Sequence, residues 1–340
     1  MAEQVFAWLT GQDDNIGDSA LRRGYADALR RRGPVTAFVG GASDSYISGL
    51  GDVTPIADLD AWLRSAISAA TTGPATLAIN AGEFTFSGTY TLQLLRILPA
   101  LCRFRAAGGR VVWLGAAVPS APRDRAWLFR RLFHAADLIR WRDDATSHVF
   151  CVAEAMPDWA LALEPSPAAE RTALGISLRF DRPYPSPAWI ASVRDLAGRL
   201  SLDVVAVAQV QRDSPYARRL AADLGGRHVV FPSGRSHAEQ EAILRREYAG
   251  MAAIVSDRLH ALLIGLSEGV VPLGHTESAR PKLARHFDSL GLPWVASATL
   301  DTVGPDQLAA YANDAAVALS AARTRLAEIG DLLAGDDWRG

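Results

Sequence analysis

Ala252-Ala253-Ile254-Val255-Ser256-Asp257-Arg258-Leu259-His260 decides how this chain is read. Ala252 to Val255 is a short apolar run without charge, the pattern of a strand buried on both faces. Ser256-Asp257 then gives a helix-cap signal, and Arg258 to Leu266 reads as a helix. A strand that passes straight into a helix is the repeating unit of a parallel sheet. It puts Arg258 and His260 in the first helical turn, at the carboxyl edge of that sheet. In open α/β folds ligands bind in the crevice there. Two cationic groups beside backbone N–H groups that lack intrahelical partners form a site for an anion.

The same alternation runs along the whole chain. In the first half, strands are predicted over Val5–Leu9, Val35–Val39, Ala75–Ile79, Arg110–Leu114 and Leu138–Trp141. Helices Ser19–Arg31, Leu59–Ala70, Thr91–Arg105 and Arg125–His134 lie between them. A Pro-rich stretch from Met156 to Glu170 breaks the rhythm and reads as an interdomain connection. Strands then resume at Leu174–Leu178, Val204–Val207, His228–Phe231, Ala252–Val255 and Val270–Leu273. The helices among and after these are Pro187–Leu200, Pro215–Leu224, Ala238–Tyr248, Arg258–Leu266 and Pro281–Leu290. The expected fold is α/β: two Rossmann-like, doubly wound domains facing a cleft, at 1–160 and 171–300. Residues 301–340 form a C-terminal helix long enough to cross back to the N-terminal domain.

Composition narrows the function classes. The chain is 340 residues, 49% hydrophobic and 21% charged, which gives a packed interior rather than disorder. A net charge of -2 argues against a nucleic-acid binder that relies on a basic field. Cys102 and Cys151 are the only cysteines and sit in or beside apolar segments, so neither a disulfide framework nor a thiolate metal site is expected. Met1-Ala2-Glu3-Gln4 has no basic run, and no apolar stretch reaches the roughly 18 residues of a membrane span. A cytoplasmic enzyme or binding protein is expected. Lys282 is the only lysine among 35 basic residues, which reads either as the codon bias that also favours Ala, Gly and Pro or as a compact ammonium wanted in Arg280-Pro281-Lys282.

Four post-strand loops carry the candidate chemistry. Thr10-Gly11-Gln12-Asp13-Asp14-Asn15-Ile16-Gly17-Asp18-Ser19-Ala20 is Gly- and Asx-rich, without the pattern of a dinucleotide or P-loop site. Its Asp18 reads either as a cleft carboxylate or as a helix N-cap, and Asn15 either as a cleft group or as a turn residue. Arg142 follows the strand Leu138–Trp141, where Asp143 can hold its guanidinium. His260 and Arg258 leave one short turn together. Gly274 to Lys282 adds Arg280 and Lys282, and Gly175 and Arg179 open the second half. No HExxH, CxxC or GxSxG occurs, and a metal site is not expected.

In this order the residues resemble the polysaccharide pyruvyl transferases. The likeness rests on Asn15-Ile16-Gly17-Asp18-Ser19-Ala20, Arg142-Asp143, Leu174–Arg179, Ser256-x-Arg258-Leu259-His260-Ala261-Leu262, Gly269 to Pro272 and Pro281-Lys282, and covers roughly residues 10 to 300. This chain departs from the family at Asn80-Ala81-Gly82-Glu83 and at His275 to Arg280, which leaves the acceptor open. The resemblance implies the architecture of B-type glycosyltransferases, with an acceptor-side N-terminal and a donor-side C-terminal domain. It also implies transfer of pyruvate from phosphoenolpyruvate onto a sugar diol of a cell-surface glycan precursor, with phosphoenolpyruvate as substrate and no cofactor.

On that basis His260, Asp18 and Asp14 are the expected catalytic residues. Arg142, Arg258, His260, Arg280 and Lys282 would bind phosphoenolpyruvate, and Asn15, Gly17 and Arg179 would line the acceptor side or the cleft. The acceptor would be a glycan or a lipid-linked sugar, the latter with peripheral contact to a membrane. Two rival readings stand beside this one. A nucleotide-sugar glycosyltransferase of similar architecture would need a carboxylate for ribose hydroxyls, for which Glu268 and Glu277 are the candidates. The other rival is a non-catalytic relative that binds an anionic metabolite.

Overall fold

The computed structural model describes residues 3–84, 89–118, 133–167, 169–275, 281–335 and 338. The chain divides into two units. One comprises Met1–Gly11, Leu21–Trp159 and Thr324–Gly340, and the other Gln12–Ala20 and Ala160–Arg323.

The first unit is a parallel sheet of β1 (Gln4–Trp8), β2 (Val35–Phe38), β3 (Thr54–Ile56), β4 (Ala75–Ile79), β5 (Gly82–Glu83), β6 (Arg110–Ala117) and β7 (Leu138–Trp141). Its spatial order is β3-β2-β1-β4-β6-β5, with β7 also paired to β6. Every residue of β4 is buried, as a central strand covered on both faces requires. Helices α1 (Ile16–Arg30), α2 (Asp44–Ser48), α3 (Leu59–Thr72), α4 (Thr89–Ala106) and α5 (Asp144–Phe150) follow its strands. Asp58 caps α3 by accepting from Ala61 N at 2.6 Å. Trp113, Trp141, Phe133 and Phe150 pack edge-on or tilted at centroid distances of 4.8–5.7 Å and fill the space beside β6 and β7.

The second unit is a parallel sheet of β8 (Ala173–Ser177), β9 (Asp203–Val207), β10 (Arg227–Val229), β11 (Met251–Ser256) and β12 (Val271–Gly274), in the order β10-β9-β8-β11-β12. Strand order runs outward from β8 to β10 and then reverses at β11, so the β8–β11 edge is the topological switch point. Helices α6 (Pro187–Leu200), α7 (Ser214–Leu224), α8 (His237–Ala249), α9 (Leu259–Ser267) and α10 (Pro281–Asp288) alternate with these strands. The last helix, α11 (Pro305–Ala334), begins in the second unit and enters the first at Thr324.

The α/β class and the parallel sheets are as the sequence predicts. The helix expected over Arg125–His134 lies almost wholly outside the described residues. The short elements α2, β3, β5 and α5 were not predicted, because two to seven residues carry too little periodicity to register. α9 starts at Leu259 rather than Arg258. Ser256 Oγ accepts the Arg258 N–H at 2.9 Å and holds Arg258 extended, at φ −95° and ψ 115°, as the cap residue.

Candidate functional site

The switch point of the second sheet is built from three strand ends and one loop. β11 ends at Ser256, whose hydroxyl donates to the Ser177 carbonyl of β8 and ties the two central strands together. Ala261 to Ser267 of α9 are all buried, so the helix is anchored by its body and offers only its amino end, with Arg258 and His260.

Asp213, fully buried on the turn after β9, organises this edge. Its carboxylate accepts from Arg258 Nε and, at 2.7 Å, from Arg258 Nη2, and it also takes the Phe180 N–H at 3.1 Å. The Arg258 fork is thereby fixed from its stem side, while Nη1 has no hydrogen-bond partner among the described residues. Asp257 Oδ1 accepts the Arg179 N–H at 3.0 Å. The Arg179 guanidinium turns onto Asp181 through two bonds of 2.8 and 2.6 Å. Those bonds push the Arg179 pKa up and hold the Asp181 carboxyl down at about 2. The sequence places Arg258 at the donor and Arg179 at the cleft without naming a partner for either. The structure gives Arg179 and Arg258 each a carboxylate partner, which fixes direction more than it adds net charge.

The loop Gln12–Ala20 belongs to this unit, although the sequence reading counted it with the N-terminal domain. It is stitched to the segment after β9. Asn15 forms an antiparallel bridge with Val210, Gln211 N donates to Asp14 O at 2.9 Å, and Ile16 N donates to Gln209 O at 3.4 Å. Asn15 Oδ1 accepts from Gly17 N at 3.0 Å and from Gln209 Nε2 at 2.8 Å. Asn15 thus caps α1, and Asp18 folds back to take the Gln12 N–H at 2.8 Å. Of the two readings of Asp18, the N-cap is therefore not the one realised. Asp14 pairs with Arg212 at 2.6 Å. Gly17 has no room for a side chain: a Cβ there would lie 2.3 Å from His260 Cβ and 2.4 Å from Gln209 Nε2.

His237, fully buried at the start of α8, secures the same loop. Its Nδ1 lies 2.8 Å from Ser19 Oγ and its Nε2 3.0 Å from the Asp13 carbonyl. Burial pushes its pKa down, against the pull of the Asp13 carbonyl and the Asp13, Asp14 and Asp18 charges. The neutral ring therefore donates from Nε2 to Asp13 and accepts the Ser19 hydroxyl at Nδ1.

Asp14, Asn15, Gly17, Asp18, Arg179, Arg258 and His260 all fall in the second unit, and so does Lys282, exposed at the start of α10. Arg280 and Glu277 lie outside the described residues. Arg142 belongs to the first unit and is buried. Asp143 does not grip Arg142 as the sequence suggests: its Oδ1 caps α5 by accepting from Thr146 N at 2.8 Å. Arg142 meets Asp158 at 3.2 Å and Glu83 at 3.6 Å. Sequence reasoning missed Gln209, Asp213 and His237. For the first two a signal existed, since they follow the strand Val204–Val207 and precede Pro215 just as Ser256-Asp257 precedes α9.

The profile of the polysaccharide pyruvyl transferase family matches residues 15–274. This chain belongs to that family. No curated protein matches the sequence. Solved structures share its fold. The Anabaena protein HepE in complex with UDP and glucose is 13% identical over 98% of each chain, with a TM-score of 0.56. A Listeria monocytogenes protein described as a UDP-N-acetylglucosamine 2-epimerase is 11% identical, covering 97% of this chain and 93% of that one at a TM-score of 0.51. One chain in the structure of accessory secretory proteins 1, 2 and 3 of Streptococcus pneumoniae is 11% identical at a TM-score of 0.53; there the match takes in 80% of this chain but spans only 56% of the other. The fold is thus that of the B-type glycosyltransferases and sugar-nucleotide epimerases, and the family is one of transferases in polysaccharide pyruvylation. No helix among the described residues is long and apolar enough to cross a membrane.

Two outcomes follow from the loop. Gly17→Ala forces the loop off α9, so the melting temperature should fall by an amount equivalent to about 1–3 kcal/mol, with faster amide exchange over Asn15–Ala20. An unchanged melting temperature would show that the loop yields freely. For His237 the folded pKa lies below that of the unfolded chain. Its contribution is therefore present above about pH 6.5 and lost as pH falls through the lowered folded value. His237→Asn should flatten the drop in melting temperature between about pH 7 and pH 5, and an equally steep drop in the variant would remove His237 from that dependence.

Proposed function

We propose that this protein transfers the pyruvyl group of phosphoenolpyruvate onto a diol of a sugar in a cell-surface polysaccharide or glycolipid precursor, forming a cyclic ketal. One observation carries the reading: in a chain of this family, Arg258, aimed by Asp213, and His260 occupy the amino end of α9 at the switch point of the second sheet. A donor with a carboxylate and a phosphate needs a guanidinium fixed in direction, and the Arg258 Nη1 edge supplies one at the amino end of α9.

In the proposed reaction a proton reaches the methylene carbon of phosphoenolpyruvate and makes the neighbouring carbon electrophilic. One sugar hydroxyl adds to that carbon. The second hydroxyl then displaces inorganic phosphate, so that one hydroxyl proton is balanced by the new methyl group and the other leaves with phosphate. His260 is assigned the transfer of the proton to the enol or the phosphate, and Asp18 or Asp14 its removal from the hydroxyls. Lys282 and Arg280 would add charge for the phosphate, with Arg142 assigned to the donor on the resemblance alone. Asn15, Gly17 and Arg179 would line the acceptor side.

A nucleotide-sugar donor fits the described residues less well. Glu268, the carboxylate considered for ribose, is buried and accepts from Arg245 Nε at 2.5 Å and Ser166 N at 2.7 Å. It also caps the carboxyl end of α9, roughly 15 Å along the helix from Arg258.

The test is phosphate release from phosphoenolpyruvate with β-galactosyl, glucosyl, glucuronyl and N-acetylmannosaminyl glycosides, with the ketal product followed by mass spectrometry. The expected result is one phosphate per ketal. His260→Ala should lower kcat by about 100-fold or more, and Arg258→Ala should raise the KM for phosphoenolpyruvate. A His260→Ala enzyme within about tenfold of the parent would remove His260 from the chemistry. A parent enzyme that consumes nucleotide sugars and leaves phosphoenolpyruvate intact would replace the reading altogether.

A further inference from the structure

The segment after β8, Leu178-Arg179-Phe180-Asp181, holds a side chain that the proposed reaction does not use. Phe180 is 43% exposed. Among the described residues the exposed large apolar side chains are Leu92, Val152, Phe180 and Val317, and Phe180 alone of these is aromatic. It forgoes the burial that stabilises most phenylalanines. Its position is nevertheless fixed. Its N–H is bonded to Asp213, the same buried carboxylate that aims Arg258, and the N–H of its neighbour Arg179 is bonded to Asp257. The Arg212 guanidinium stands 5.7 Å from its ring centroid, and Arg212 is itself paired with Asp14 on the loop that carries Asp18.

We infer that Phe180 is the platform for the acceptor sugar, taking the apolar C–H face of a pyranose ring against its own ring. The inference rests on the pyruvyl-transfer reading and adds the residue that would position the acceptor. Phosphoenolpyruvate is small and multiply charged and has no apolar face to lay on a phenyl ring. A pyranose has one, rimmed by hydroxyls, and the negative face of an aromatic ring attracts its polarised C–H bonds. The surroundings fit both parts of such a ligand. Arg212 lies over one face of the Phe180 ring, so the C–H bonds would take the opposite face, with Arg212 and its partner Asp14 at the hydroxyl rim. Through Arg212 the platform adjoins the loop to which removal of the hydroxyl protons is assigned.

The experiment compares the parent with Phe180→Ala and Phe180→Tyr in two measurements. The first is steady-state kinetics with each substrate varied at saturating concentration of the other. Phe180→Ala should raise the KM for the acceptor about tenfold and leave the KM for phosphoenolpyruvate within about twofold, while Phe180→Tyr should stay close to the parent. The second needs no turnover: saturation-transfer NMR with methyl β-galactoside, methyl β-glucoside and methyl β-N-acetylmannosaminide, without phosphoenolpyruvate. The ring C–H signals of one glycoside should appear with the parent and with Phe180→Tyr and be lost with Phe180→Ala.

An acceptor KM that Phe180→Ala leaves unchanged overturns the platform, and so do sugar signals that survive the substitution or an effect confined to lipid-linked acceptors. If the parent releases no phosphate from phosphoenolpyruvate, the proposed function fails. The NMR comparison then still decides the role of Phe180, since absent or Phe180-independent signals overturn it.

Discussion

One buried carboxylate sets the geometry of the second unit's ligand edge. Asp213 receives both near nitrogens of Arg258 and the backbone N–H of Phe180. A fully buried carboxylate is tolerable only when its lone pairs are occupied by strong donors, and a guanidinium fork does this best. Net stability from such a pair is small, because desolvation of the two charges offsets most of their attraction. The pair contributes direction. Arg258 is an N-cap residue in extended backbone with no helix of its own to hold it, and Asp213 fixes its long side chain before any ligand arrives. Preorganisation of this kind favours an anion by removing the cost of ordering an arginine at the moment of binding.

A second constraint is steric. The amino end of α1 comes so near α9 that only glycine fits at position 17, with His260 Cβ and Gln209 Nε2 where a side chain would be. Backbone pairing of Asn15 with Val210 and the buried His237 at Ser19 and Asp13 hold the loop in that place. Together they bring the carboxylates of Asp14 and Asp18 and the imidazole of His260 into one unit, although more than 240 residues separate the loop from His260 in sequence. An anion-binding helix terminus is common in α/β folds. At the amino end of α9 a carboxylate-bearing loop is packed directly against the helix.

Much of this was legible in the chain. The Ala252–His260 stretch gave a strand, a cap signal and a helix with cationic groups at its start, because apolar runs and capping residues act locally. The Gly- and Asx-rich loop at residues 11–19 was legible as a close approach for the same reason. Partnerships were not. Asp143 stands next to Arg142 in sequence and looked like its partner, yet its backbone position makes it the cap of α5, and Asp158 and Glu83 pair with Arg142 instead. Asp213 follows the strand Val204–Val207 and precedes Pro215, so its place at a strand end was legible while its partners were not. Its role depends on the register that brings β9 beside β8, and such long-range pairing is invisible to a pattern read over a few residues. The assignment of the loop to the second unit was hidden likewise, since chain order places it directly after β1.

The chain has the family and the fold shown above, and we assign the amino end of α9, where Asp213 aims Arg258 in advance, to phosphoenolpyruvate. The most direct check is a crystal structure of the full chain soaked with phosphoenolpyruvate. The account predicts the donor at the amino end of α9, with one anionic group on Arg258 Nη1, the other within reach of His260, and the Arg258–Asp213 pair intact. Donor density elsewhere, or an amino end of α9 that stays empty at saturating phosphoenolpyruvate, would contradict it.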